Sequence, residues 1–271
     1  MKKTTVLERL MDEGYFTDEK SALPWVMKGA VLVGSVPARS LMARVDASLP
    51  LTVKGFSMPY VSKGGLKLSG AIRAFGVEVS QRVCMDAGAC TGGFTDCLIK
   101  HGAALVYAVE VGFGQLHGSL RQNPRVVNLE RTNLGDESLL SLSPRPQLGC
   151  VDLSYLSLRK AIPLFSAIMH GDGELLCLVK PLFETEDPEA RRTGRIDPES
   201  YSGLLRALCA DVDAMPGLSV AGVCASTVTG NHGTHEFFIH VRHGAVRDQS
   251  RQAQIEGAVQ AALALNPYKK S

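Results

Sequence analysis

The chain runs to 271 residues, 45% of them hydrophobic and 21% charged, which suits a domain with a sizeable core plus a small appended one. Its 29 basic and 27 acidic side chains leave a formal net charge of +2, too small to argue for nucleic acid by itself, so any such partner has to be read from local placement. No run approaches the roughly 18 consecutive apolar residues of a membrane span, and the start M-K-K-T-T-V-L-E-R-L-M-D-E breaks charge into any secretory core, so a cytoplasmic protein without a membrane partner is expected.

In chain order, Val6, Leu7, Leu10 and Met11 form one helical face that Gly14 ends, and Ser21, Ala22, Trp25, Val26 and Met27 form a second helix with Pro24 near its first turn. Ala30 to Val33 reads as a strand, Gly34 and Ser35 as a turn, and Leu51 to Val53 as a second short strand. Residues 1–55 thus read as a small α+β unit. Its G-A-V-L-V-G-S segment resembles the turn of the small RNA-binding domain named for small-subunit ribosomal protein four, although T-V-L at Thr5 to Leu7 replaces that domain's R-L-D opening. Lys2, Lys3, Lys20, Lys28, Arg39 and Arg44 could supply phosphate contacts, the alternative for most of them being a solvated face. The turn-rich G-F-S-M-P reads as a linker, placed at 56–60, with a second domain over 61–271.

That second domain alternates strand-like and helix-like runs. Helices are expected over 66–75, 94–101, 115–122, 156–169 and 198–214, and strands over 83–86, 105–110, 126–129, 148–153, 174–180, 218–224 and 236–241. Alternation of this kind predicts an α/β, Rossmann-like fold with a mostly parallel sheet and helices on both faces. Ile255, Val259, Ala262 and Leu263 mark a closing amphipathic helix. The seven cysteines contain no C-x-x-C pair and sit in or beside apolar runs, which points to reduced, mostly buried thiols.

The segment M-D-A-G-A-C-T-G-G-F-T, Met85 to Thr95, reads as a strand end, a glycine turn and a helix start. Gly88, Gly92 and Gly93 let the backbone take positive φ or approach a ligand closely, as a nucleotide-type cofactor requires. The dinucleotide fingerprint needs G-x-G-x-x-G, whereas the spacing from Gly88 is G-x-x-x-G-G and the acid, Asp86, comes first. An acid there can order the loop and meet the amino group of S-adenosylmethionine, which makes a hydride enzyme the weaker alternative. Ligands of such sheets gather at the carboxyl ends of the strands, where Glu110 could accept the ribose hydroxyls of an adenosyl group. Asp152 and Lys180 each follow an apolar run as its first charge, and opposite charges at neighbouring strand ends suggest a pair facing the crevice. His232, His235, His240 and His243 are without cysteine partners, and no metal site is expected.

Seven segments, Y-V-S-K-G-G-L-K-L, D-A-G-A-C-T-G-G-F-T-D-C-L, A-V-E-V-G-F-G-Q-L, L-E-R-T-N, V-D-L-S-Y-L-S-L, L-V-K-P-L-F-E and T-G-N-H-G-T-H-E-F-F, together resemble the TlyA family, in order and over nearly the whole chain. That family joins the small RNA-binding domain to a methyltransferase domain of the RrmJ/FtsJ kind. The resemblance implies 2′-O-methylation of ribosomal RNA, at a cytidine, using S-adenosylmethionine, with the ribosomal RNA or a ribosomal subunit as partner. It places a catalytic Lys-Asp-Lys-Glu set on Lys67, Asp152, Lys180 and Glu236, and cofactor contacts on Asp86, Gly88, Cys90, Thr91, Gly92, Gly93, Phe94, Glu110 and Asn133. Cys90, Glu110, Leu182 and Thr234 depart from the residues that family leads one to expect. Lys180 is expected to orient or deprotonate the ribose hydroxyl, the latter a heavy demand on a side chain that ordinarily holds its proton to about pH 10.4. The competing readings are a ribosome-binding or assembly protein without turnover, and a haemolysin, for which the sequence offers no lytic segment.

Overall fold

The computed structural model describes residues 3–12, 15–16, 19–47, 49–55, 59–230, 233–244 and 250–265. The expected helix stop at Gly14, most of the expected linker, Lys2 and His232 lie outside the described residues.

The small unit consists of β1 (Lys3–Thr5), α1 (Val6–Asp12), α2 (Glu19–Met27), β2 (Val31–Val33), β3 (Val36–Pro37), β4 (Arg44–Asp46) and β5 (Leu51–Val53). β2 pairs antiparallel with β3 and β5, and β1 pairs antiparallel with β4. Val6, Leu10, Ala22, Val26, Val31 and Val53 meet in an apolar cluster of their own. The guanidinium of Arg9 ties α1 to the chain before β5, donating to the Leu49 carbonyl at 2.6 Å. Lys3, Lys20, Lys28, Arg39 and Arg44 are all exposed. Contrary to the expectation from sequence, α2 begins at Glu19, so Pro24 stands in the helix interior rather than its first turn. Pro24 lies on the exposed side, where water can replace the backbone bond that proline cannot make.

The remainder contains α3 (Gly64–Phe75), β6 (Val83–Ala87), α4 (Gly93–Lys100), β7 (Leu105–Glu110), α5 (Gly118–Arg121), β8 (Val126–Glu130) and β9 (Leu148–Val151). It continues through α6 (Leu158–Ile168), β10 (Glu174–Val179), α7 (Pro181–Glu184), α8 (Pro188–Thr193), α9 (Tyr201–Asp213), β11 (Leu218–Ala225), β12 (Phe237–His243) and α10 (Arg251–Ala264). The seven strands form one sheet in the order β11-β12-β10-β9-β6-β7-β8. From β8 to β10 all neighbours are parallel, and β12 enters antiparallel to both β10 and β11. The sheet is therefore mostly parallel, with the exception at the end where the chain doubles straight back.

Successive strand residues face opposite sides, and both sides are apolar here. Cys84 and Phe238 join Leu68, Leu98 and Val106 on one face, while Met85 and Phe237 join Phe165 and Val259 on the other. The closing helix α10 belongs to the second face, burying Ile255, Ala258, Val259 and Ala262. Two covered faces leave the strand ends as the places where polar groups of the sheet reach solvent. The carboxyl ends of β6, β7, β9 and β10 share one edge, and Glu236 returns to it just before Phe237, the β12 residue opposite Val179.

Candidate active site

After Asp86 and Ala87 the chain turns at Gly88, whose φ of +89° lies in the left-handed region. A Cβ at Gly88 would stand 2.3 Å from the carbonyl oxygen of Asp152, so only glycine allows the two strand ends to meet this closely. The Asp152 N–H donates to the Ala87 carbonyl at 2.9 Å and fixes that approach. Cys90 follows at φ +48°, an uncommon value for a residue with a side chain. Its N–H donates to Glu110 Oε2 at 2.9 Å, and the Gly112 N–H donates to Oε1 at 2.8 Å. Glu110 thus braces the loop from the end of β7, and each of its oxygens keeps acceptor capacity for a ligand hydroxyl.

Asp86 does something different from what its position in the sequence suggests. It is fully buried under the loop, where Oδ2 accepts the Thr95 hydroxyl at 2.7 Å and Oδ1 has no partner among the described residues. Burial pushes its carboxyl up to about 7, with the Thr95 bond pulling the other way.

Two ion pairs close the same edge. Lys67, in the first turn of α3, sets Nζ 2.5 Å from Glu236 Oε2, with side chains only 7% and 5% exposed. Lys180 sets Nζ 2.5 Å from Asp152 Oδ1, with side chains 18% and 24% exposed. Lys180 also donates to Ser154 Oγ at 2.8 Å. Pro181 at the start of α7 explains why β10 stops here, since proline has no N–H to extend the ladder yet fits the first helical position. All four charged residues line one cavity of about 280 Å³, together with Gly88 and Cys90. A second cavity of about 260 Å³ shares Gly88, Cys90 and Asp152 with it and extends to Glu110, Leu134 and Tyr155. The arrangement offers a braced carboxylate for a diol on one side and an ammonium held between acceptors on the other.

The signature of the FtsJ-like methyltransferase family matches residues 60–243. Among curated relatives, the 16S/23S rRNA (cytidine-2′-O)-methyltransferase TlyA of Mycobacterium tuberculosis is 35% identical over 268 residues, which is 98% of this chain and 99% of that protein. The chain belongs to the FtsJ-like methyltransferase family, within the TlyA group. Hemolysin A of Brachyspira hyodysenteriae is 32% identical over 236 residues, 86% of this chain and 97% of its own length. A solved structure from Streptococcus thermophilus, described as a candidate hemolysin, is 32% identical and superposes with a TM-score of 0.73 over 96% of both chains.

On this FtsJ-like framework, Lys67, Asp152, Lys180 and Glu236 come together from four separate segments. Gly88, Cys90, Thr91, Gly93 and Phe94 line the first cavity and Glu110 the second. Three expected cofactor contacts lie elsewhere. Asp86 is sealed beneath the loop, and Gly92 packs so closely that a Cβ would meet the Leu120 side chain at 2.3 Å. Asn133 turns its Oδ1 to the Gly135 N–H at 3.0 Å, a local turn bond that the N-x-G spacing itself signals. Sequence reasoning missed Ser62, Gln115, Leu134, Ser154 and Tyr155, which line the cavities from loops. The late histidines separate: His240 bonds Glu174 at 2.6 Å, His243 bonds Ser166 at 3.1 Å, and His235 lies in the wall of a third cavity.

Proposed function

We propose that the chain transfers a methyl group from S-adenosylmethionine to a ribose 2′-hydroxyl of ribosomal RNA, at a cytidine, with residues 1–55 gripping the RNA through their exposed lysines and arginines. The single observation that carries this reading is the meeting of the Lys180–Asp152 pair with the glycine loop across one continuous pair of cavities. The TlyA relative named for cytidine 2′-O-methylation supports the choice of substrate.

The residues present suit the cofactor. Glu110 has acceptor capacity left for two ribose hydroxyls, Gly88 keeps the cradle free of a side chain, and Leu134 offers an apolar wall for a purine. When bound, S-adenosylmethionine supplies an electrophilic methyl on a sulfonium. Lys180 donates one N–H to Ser154 and is held in an ion pair by Asp152, and its ammonium has further donor capacity for the ribose oxygen. Lys180 thereby fixes the direction of attack and stabilises charge as it builds on that oxygen. Asp152, the carboxylate against Lys180 Nζ, receives the proton that the hydroxyl releases as the ether forms. The Lys67–Glu236 pair holds the start of α3 against the entry to β12 and so keeps the cavity walls at fixed separation.

The test uses purified protein, tritiated S-adenosylmethionine and ribosomes from cells lacking the gene. Wild-type protein is expected to label ribosomal RNA, and Lys180→Ala to bind the cofactor but not transfer it. Labelling by Lys180→Ala at the wild-type rate removes the assignment. A rate that climbs steeply as pH approaches the range where lysine loses its proton would make Lys180 a base rather than an orienting ammonium.

A further inference from the structure

A third cavity of about 380 Å³ opens on the far side of Lys180 and Glu236, which line both it and the cavity that holds the four charged residues. Ser154 joins it to the second cavity, so three lobes meet around Asp152, Ser154 and Lys180. We propose that this lobe, walled by Phe183, Ile196, Tyr201 and His235, seats the base of the target nucleotide, unstacked from its RNA. The inference rests on the function proposed above and names the part of the substrate that this lobe takes.

The placement follows from connectivity. If one lobe takes the adenosyl group and the central one the reacting ribose, the base attached to that ribose must leave by the remaining lobe. The wall chemistry matches a base. Phe183 is 41% exposed and lines this lobe, and single-stranded bases are held by stacking on aromatic side chains. Tyr201 lies deeper, with its ring 5.8 Å from that of His235.

His235 supplies the polar element. It is only 7% exposed, and both ring nitrogens are buried with no hydrogen-bond partner among the described residues. A buried polar group in that state has hydrogen-bonding capacity open to a ligand or to water. Burial also lowers its basicity, so the ring is neutral near pH 7 and presents one donor and one acceptor. A base edge offers the complementary pair. Arg191 and Arg195 are exposed in the segment that contributes the wall residues Gly194 and Ile196, where they can neutralise the flanking phosphates, whereas Arg192 pairs with Glu189.

The experiment compares Phe183→Ala and His235→Ala with wild-type protein in methyl transfer to ribosomes from cells lacking the gene. The readouts are KM for ribosomes, the identity of the methylated nucleotide and cofactor affinity by calorimetry. Phe183→Ala, at an exposed position that folding does not depend on, is expected to raise KM about tenfold or more, with cofactor affinity within about twofold of wild type. His235→Ala is expected to spread methylation to other nucleotides, with His235→Gln restoring part of the selectivity. Unchanged KM and unchanged target in both variants would overturn the base site, as would an equal loss of cofactor affinity. A wild-type protein that transfers no methyl to ribosomal RNA would overturn the proposed function, and this inference with it, so the two failures are told apart.

Discussion

At the amino-terminal ends of the strands, Glu174 opens β10 among Arg82, His240 and Arg242, with His240 at 2.6 Å and Arg242 at 3.7 Å. At the carboxyl-terminal ends of the same sheet, Asp86 keeps an oxygen without a partner among the described residues and Cys90 sits at positive φ. There the more exposed of the two ion pairs faces a cavity. One end is a network of charged hydrogen bonds that holds strands together, and the other leaves hydrogen-bonding capacity beside a cavity. The same contrast recurs within the active edge itself. Lys67 and Glu236 are nearly sealed from water, whereas Lys180 and Asp152 remain accessible, so the first pair bears on shape and the second on chemistry.

Substitutions can break this contrast in order of size. Lys180→Ala is expected to cost on the order of 10²–10³-fold in methyl transfer. Its cost in folding stability should be smaller than that of Lys67→Ala, because the pair it breaks is the more exposed of the two. Kinetics alongside urea unfolding checks both halves. Lys67→Ala reverses the pattern: an unpaired Glu236 in a dry site should cost about 3–5 kcal/mol in urea unfolding. Replacing both partners, Lys67→Met with Glu236→Leu, should restore most of that stability without restoring activity.

At the opposite edge, Glu174→Gln should cost about 1.5–3 kcal/mol with transfer unaffected, since charged hydrogen bonds are lost far from the cavity. Burial works to raise the Glu174 carboxyl, but hydrogen bonds from His240 and Arg82 overcome it and hold it down at about 2 against an ordinary 4.5. Its folded pKa is depressed, so its stabilisation is present above pH 4.5 and disappears as pH falls towards 2. The gap between wild type and Glu174→Gln should therefore close in acid unfolding. A further effect is one of slope. The folded pKa of Asp86 is raised from 3.8 to about 7, so its contribution falls as pH rises between those values and is constant above them. Asp86→Asn should remove that part of the pH dependence, as thermal unfolding at pH 5 and pH 8 would register.

Much of the sheet was legible because its strands are short apolar runs ended by a charge or a glycine. β7 spans Leu105–Glu110 as expected, and β6, β9 and β10 begin where expected and end within one or two residues of the expected bounds. Lys67, Asp152, Lys180 and Glu236 were named from sequence, and the fold brings their segments to one edge. The ribbon of β1 and β4 escaped notice, because three-residue strands with mostly exposed or half-buried side chains carry no periodic signal. α7 and α8, which fall between the expected strand ending at 180 and the expected helix from 198, left a legible mark in Pro181 and in Asp187-Pro188, a cap followed by proline at the first helical position. Asp86 and Asn133 show the limit of reading position alone, since whether a carboxylate or amide faces a cavity depends on the packing of chain far away in sequence. The third lobe was invisible for the same reason: Phe183, Tyr201 and His235 come from separate segments, and none stands in a pattern that announces a pocket.

The most direct measurement of the central claim maps 2′-O-methyl marks on ribosomal RNA from cells that carry the gene, lack it, or carry Lys180→Ala in its place. The account predicts a cytidine mark that disappears with the gene, returns with the wild-type protein and does not return with Lys180→Ala. Marks unchanged by loss of the gene, or fully restored by Lys180→Ala, would contradict it.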